Sequence, residues 1–150
     1  MPKHIPRMLL CCLLLAAGAC LPGCGSSAPP EQSFSLRTNF DEFSDEEIDA
    51  ILLGAILDSF SPDEWDFIVL MPAVPIQDST FIQVGAPTEN VDYQYTVEIG
   101  FETKEEGLTL YRMYTRDKAL VLQWVVEYWG EQEIPDILTW EDVTWELGPA

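Results

Sequence analysis

Two unlike polypeptides meet near position 23, and this junction limits the fold more than any other feature of the chain. Residues 1–23 contain Lys3, His4 and Arg7 and no acid. Residues 24–150 carry all 26 acids against five bases (Arg37, Lys104, Arg112, Arg116 and Lys118), a formal charge of −21. Every Trp, Tyr and Phe also lies beyond position 23. The apolar run Met8–Leu21 has no polar face, so it does not read as an amphipathic core helix. It is also shorter than the ~18–20 residues that span a bilayer. Pro22-Gly23 breaks it. A basic start, an apolar run and small residues at its end predict a secretory signal peptide over 1–23, removed on export.

The end of the run adds a chemical address. Leu21-Pro22-Gly23-Cys24 resembles the lipobox of bacterial lipoproteins: an aliphatic residue at −3, a small one at −1 and a cysteine at +1. The resemblance covers the first 24 residues only. It implies a diacylglyceryl thioether on Cys24 and cleavage after Gly23. Pro22 is a less usual residue at −2. Ala17-Gly18-Ala19-Cys20 competes less well, because alanine replaces the aliphatic residue. Two acyl chains, at ~0.8 kcal/mol per buried CH₂, hold a protein stably on a membrane where one chain does not. The implied location is the cell envelope, on the outer face of the cytoplasmic membrane, or on the outer membrane of a two-membrane cell.

After the address, residues 24–42 read as the lipidated cysteine and a flexible tether, rich in small residues and proline at its start. Residues 43–150 read as one acidic α+β domain. Ser44-Asp45-Glu46-Glu47 has the form of a capping box, with Phe43 and Ile48 placed as a hydrophobic staple. Ile48, Ile51, Leu52, Ala55, Ile56 and Phe60 then recur at helical spacing, predicting a helix over about 45–59. Ser61–Glu64 reads as one turn before a strand at Phe67–Met71, with a short strand at Phe81–Val84. Tyr93, Tyr95, Val97, Ile99 and Phe101 alternate with polar residues and predict a half-buried strand. Lys104–Gly107 supplies a turn, and Leu108–Tyr114 the return strand. The segment 117–129 carries both helical and alternating patterns, and the glycine at 130 favours helix. Val143, Trp145 and Leu147 alternate as a last strand. These elements predict a two-layer α+β sandwich: an antiparallel sheet of about four to five strands with an N-terminal and a C-terminal helix.

The chemistry open to the exported part is narrow. His4 is the only histidine, and all four cysteines lie at or before position 24. Beyond Cys24 there is thus no residue for a Ser-His-Asp or Cys-His mechanism, for a zinc site of His or Cys, or for a disulfide. No cofactor and no metal site is expected, and no catalytic residue is assigned. Asp41 to Asp49 fails the EF-hand spacing, since Phe43 occupies a ligand position and no glycine sits at the turn. The charge disfavours nucleic acid and suits a cationic peptide or protein partner. A small carboxylate-dependent hydrolase is the alternative, although no pair of acids stands out. Trp124, Trp145 and Tyr128 fit a core by periodicity. Trp129 and Trp140 fall off those stripes and are the candidates for an exposed binding contact.

Overall fold

The computed structural model describes residues 31–61, 64, 66–87 and 92–148. Their centre is one seven-stranded antiparallel sheet in the order β2-β1-β3-β4-β5-β6-β7. The strands are β1 (Phe34–Thr38), β2 (Glu42–Ser44), β3 (Phe67–Pro72), β4 (Ser79–Gly85), β5 (Tyr95–Thr103), β6 (Gly107–Thr115) and β7 (Glu141–Asp142). Two short helices accompany them, α1 (Ala50–Ser59) and α2 (Lys118–Val126). The expected sandwich of four to five strands with flanking helices is therefore corrected: the chain is mostly sheet. The extra strands lie at the two ends of the chain. The first described strand starts at Phe34, inside the stretch expected to be tether, and β1 and β2 both precede α1.

Register explains which side of the sheet is covered. Leu36 pairs with Leu70, Leu70 with Ile82, Ile82 with Ile99, and Ile99 with Tyr111. Side chains alternate along a strand, so these residues share one face with Phe34, Ile68, Val84 and Val97. Leu53 and Leu57 of α1 and Val121 and Val125 of α2 close over that face as one buried cluster. Burying each such side chain contributes about 1.5–3 kcal/mol. The helices approach each other closely at Gly54, where a β-carbon would stand 3.7 Å from Leu122 Cδ2.

Local chemistry sets the element ends. Ser44 and Glu47 do meet: the Ser44 amide donates to Glu47 Oε2 at 2.8 Å. They close a single 3₁₀ turn over Asp45–Glu47, not the α-helix. The helix starts one turn later, where Asp49 Oδ1 accepts from the Leu52 amide at 2.7 Å, as an N-cap does. Asp117 caps α2 in the same way through Leu120. Between β3 and β4 the chain reverses over Gln77 and Asp78, both at positive φ. Ile76 and Ser79 exchange backbone hydrogen bonds across them, the geometry of a two-residue hairpin that matches sheet twist. Of the predicted turn at Ser61–Glu64, Pro62 and Asp63 lie outside the described residues.

The C-terminal third departs most from expectation. The 117–129 segment is helical, as the glycine at 130 suggested, but α2 runs on into a π-turn at Glu127–Glu131. Its left-handed terminator is Gln132, not Gly130. The alternating pattern at 143–147 forms a 3₁₀ turn, Thr144–Leu147, after a two-residue β7. Inside the core, Tyr128 from the π-turn meets Ser79 from β4, hydroxyl to hydroxyl, at 2.9 Å. Both are buried, and burial pushes the Tyr128 phenol up to about 12.

Candidate functional site

No described helix covers the other face of the sheet. Val69, Gln83, Glu98 and Arg112 pair across successive strands there. At its centre lies a polar cleft of about 300 Å³, lined among others by Gln83, Thr96, Glu98, Arg112, Tyr114 and Glu146. Arg112 is the only base in the described lining, and its guanidinium is held by two carboxylates. Its Nη1 and Nη2 donate to the two oxygens of Glu146 at 2.8 and 2.6 Å. Its Nε donates to Glu98 Oε1 at 2.7 Å, and Gln83 Nε2 reaches the other Glu98 oxygen at 3.3 Å. A bidentate carboxylate pair of this kind is charge-assisted and geometrically exacting. It raises the Arg112 pKa further and holds Glu146 below the usual carboxylate range. The chain supplies Glu146 by folding its end back over β6: the Leu110 amide donates to Thr144 Oγ1, and the Val143 amide to the Leu110 carbonyl.

Three of the other four bases beyond position 23 also stand beside an acceptor or an acid. Lys118 is paired with Asp58, which joins the two helices. Arg116 donates to the Asp92 carbonyl. Arg37 stands opposite Glu42 in the β1–β2 register. Several of the acids are likewise committed to backbone. Asp45 accepts from the Phe34 amide at 2.8 Å, Glu47 from Ser44, Asp49 from Leu52, and Asp142 from the Thr144 amide at 2.9 Å. Glu47 and Asp142 are held below their ordinary pKa by these bonds, those from Ser44 and Thr144. The perturbed carboxylates, Glu47, Asp142 and Glu146, thus all shift downward, the direction opposite to that needed by a general acid. Among the described residues no group of His, Cys, Asp and Glu converges as a metal site. No described helix is long and apolar enough to cross a membrane.

Cys24, the expected lipidation site, lies outside the described residues. The tryptophans are arranged differently from their periodicity. Trp140 is only 7% exposed and packs against Trp124 with ring centroids 5.2 Å apart and the planes tilted by 57°. Trp129 is half-buried against the core. Trp145, expected inside, is 74% exposed, and Leu138 and Leu147 are exposed near it in sequence. The 3₁₀ turn at Thr144–Leu147 breaks the alternation on which the inward placement of Trp145 rested. Nothing in the local pattern marks Arg112, Glu98 and Glu146 as a cluster, because the pairing spans 34 residues between Arg112 and Glu146. Comparison with family models, with curated proteins and with solved structures finds no match to this chain.

Proposed function

We propose that the chain is a lipid-anchored cell-envelope module that binds a cationic peptide or the basic face of another protein, without catalysis of its own. The observation that carries this reading is the fate of the bases. Beyond position 23 there are five, against 26 acids, and Arg112 and Lys118 are consumed in internal ion pairs. The surface is left with uncompensated carboxylate, which steers cationic partners inward and repels polyanions. Anchoring rests on the Leu21–Cys24 resemblance, and the lipid rather than the acidic surface would hold the protein to an anionic membrane.

Cross-linking in intact cells, followed by identification of the captured chains, tests the reading. The expected partners are exported proteins or peptides with a basic face, and their capture falls when salt is raised before cross-linking. Capture dominated by acidic proteins, unchanged by salt, would contradict it. In parallel, Cys24→Ala is expected to block incorporation of a labelled fatty acid and to release the protein from the membrane fraction. Retention of both label and membrane association in a Cys20, Cys24 double variant would refute the anchor.

A further inference from the structure

A second cleft, of about 250 Å³, opens at one end of the sheet, beneath the C-terminal end of α1. Phe40, Phe43, Phe60 and Phe67 supply its aromatic wall, and Asp41, Glu64 and Asp66 its charge. No basic side chain is among its described lining, and Arg37 lines an adjoining groove that shares Phe40 and Asp41. Its walls come from the turn between β1 and β2, the end of α1, the link from α1 to β3 that carries Glu64 and Asp66, and the first residue of β3. Asp66 is fixed in place, its Oδ2 accepting from the Ser61 amide at 2.8 Å and its Oδ1 from Asn39 Nδ2 at 3.3 Å. Asn39 in turn accepts from the Phe67 amide at 2.8 Å. Phe40 is 82% exposed, an unusual place for a phenylalanine in a turn whose own hydrogen bonds do not need its ring.

We propose that this cleft receives the arginine or lysine side chain of a cationic peptide, its aliphatic stem against the phenylalanines and its charge at Asp41 and Asp66. The inference deepens the binding reading above and rests on it. Three observations favour a cationic peptide as the occupant. Aromatic faces attract a cation, and do so more strongly when it is partly desolvated. The described lining holds three carboxylates and no cation, and the neighbouring Arg37 stands opposite Glu42, so the charge balance of the cleft is negative. The cleft also lies at the end of the sheet opposite to the chain's entry. Ser33 bonds to Ala73 at the start of β1, whereas the cleft gathers residues just after the end of β1, ~20 Å further along the strand. That end of the domain is the one further from the tethered side. Asp41 and Glu42 beside Phe40 also disfavour insertion of this turn into anionic lipid.

Fluorescence anisotropy of the full-length chain in neutral detergent tests the proposal. The probe is a labelled nonapeptide carrying three arginines spaced by glycines. Phe40→Ala and Asp41→Asn are each expected to weaken binding about five- to tenfold, and Phe40→Trp to keep or tighten it. A control, Glu105→Gln with Glu106→Gln at the distant β5–β6 turn, removes more charge and is expected to change affinity less than twofold. Circular dichroism of each variant checks that the fold is retained. If the wild type binds, Phe40→Ala has no effect and the control weakens binding as much as Asp41→Asn, the cleft is not the site, while the broader cationic reading stands. If the wild-type chain does not bind the peptide, both fail.

Discussion

Replacing Arg112 by methionine keeps the aliphatic stem and deletes the guanidinium that joins β5, β6 and the C-terminal turn. The side chains of Arg112 and Glu98 are 15% and 14% exposed and 2.6 Å apart. Two unit charges at ~4 Å attract by about 4 kcal/mol at an effective dielectric near 20, before desolvation is counted. Removing one partner of a buried pair strands the other and costs about 3–5 kcal/mol. The residual exposure here lowers the expectation to about 2–3 kcal/mol. Glu98 would keep only the 3.3 Å contact from Gln83. Adding Glu98→Gln removes the stranded charge and should recover at least half of the loss. Urea unfolding followed by tryptophan fluorescence reads both values. Acid sensitivity provides an independent check. Glu146 is held below its ordinary value of 4.5 by Arg112, so its contribution is present above that pH and lost as pH falls through the lowered value. Arg112→Met should therefore flatten this part of the acid limb. A loss below ~0.5 kcal/mol, or a double variant less stable than Arg112→Met alone, would refute the reasoning.

Other outcomes follow from the same geometry. Tyr128→Phe leaves Ser79 with only its 3.4 Å contact to the Phe81 carbonyl and should cost about 1–2 kcal/mol, recovered in part by adding Ser79→Ala. The Tyr128 phenol is raised in the folded state from 10.0 to about 12, so stability should hold below pH 10 and fall between pH 10 and 12, a slope that Tyr128→Phe reduces and that Tyr95 and Lys118, both also raised, retain in part. Asp49→Ala removes the α1 cap and should cost about 1 kcal/mol in the same unfolding assay. Asp78→Gly relieves a positive φ of 69° in the β3–β4 turn and should stabilise by about 0.5–1 kcal/mol.

Strands with clean alternation and a short turn between them, β5 and β6, were legible because each carries its own pattern. Their pairing runs unbroken from Tyr95–Thr115 to Thr103–Gly107. The strand β1 was not legible. Its five residues sit beside a proline-rich stretch, and only the pairing of Leu36 with Leu70 makes them a buried strand. Two capping signals overlap within Ser44–Asp49, so the helix start was displaced to the first of them. The tryptophans show how alternation fails where the chain turns. Trp145 faces out because a 3₁₀ turn replaced the strand, and Trp140 is buried because the chain after Gln132 returns to pack on Trp124. The acidic character of the surface was fully legible from counts. Which bases are consumed internally was not, because Arg112 and Lys118 meet their partners across 14 to 60 residues of sequence.

The claim that unites these observations is that the folded part offers uncompensated carboxylate to a cationic partner. Titrating the full-length chain with matched cationic and anionic nonapeptides, at low and at high salt, tests it most directly. The account predicts that the arginine peptide binds at 50 mM salt and weakens at least tenfold by 500 mM, while the glutamate counterpart does not bind, because only screened opposite charges behave so. Equal binding of the two peptides, or an arginine-peptide affinity indifferent to salt, would contradict it.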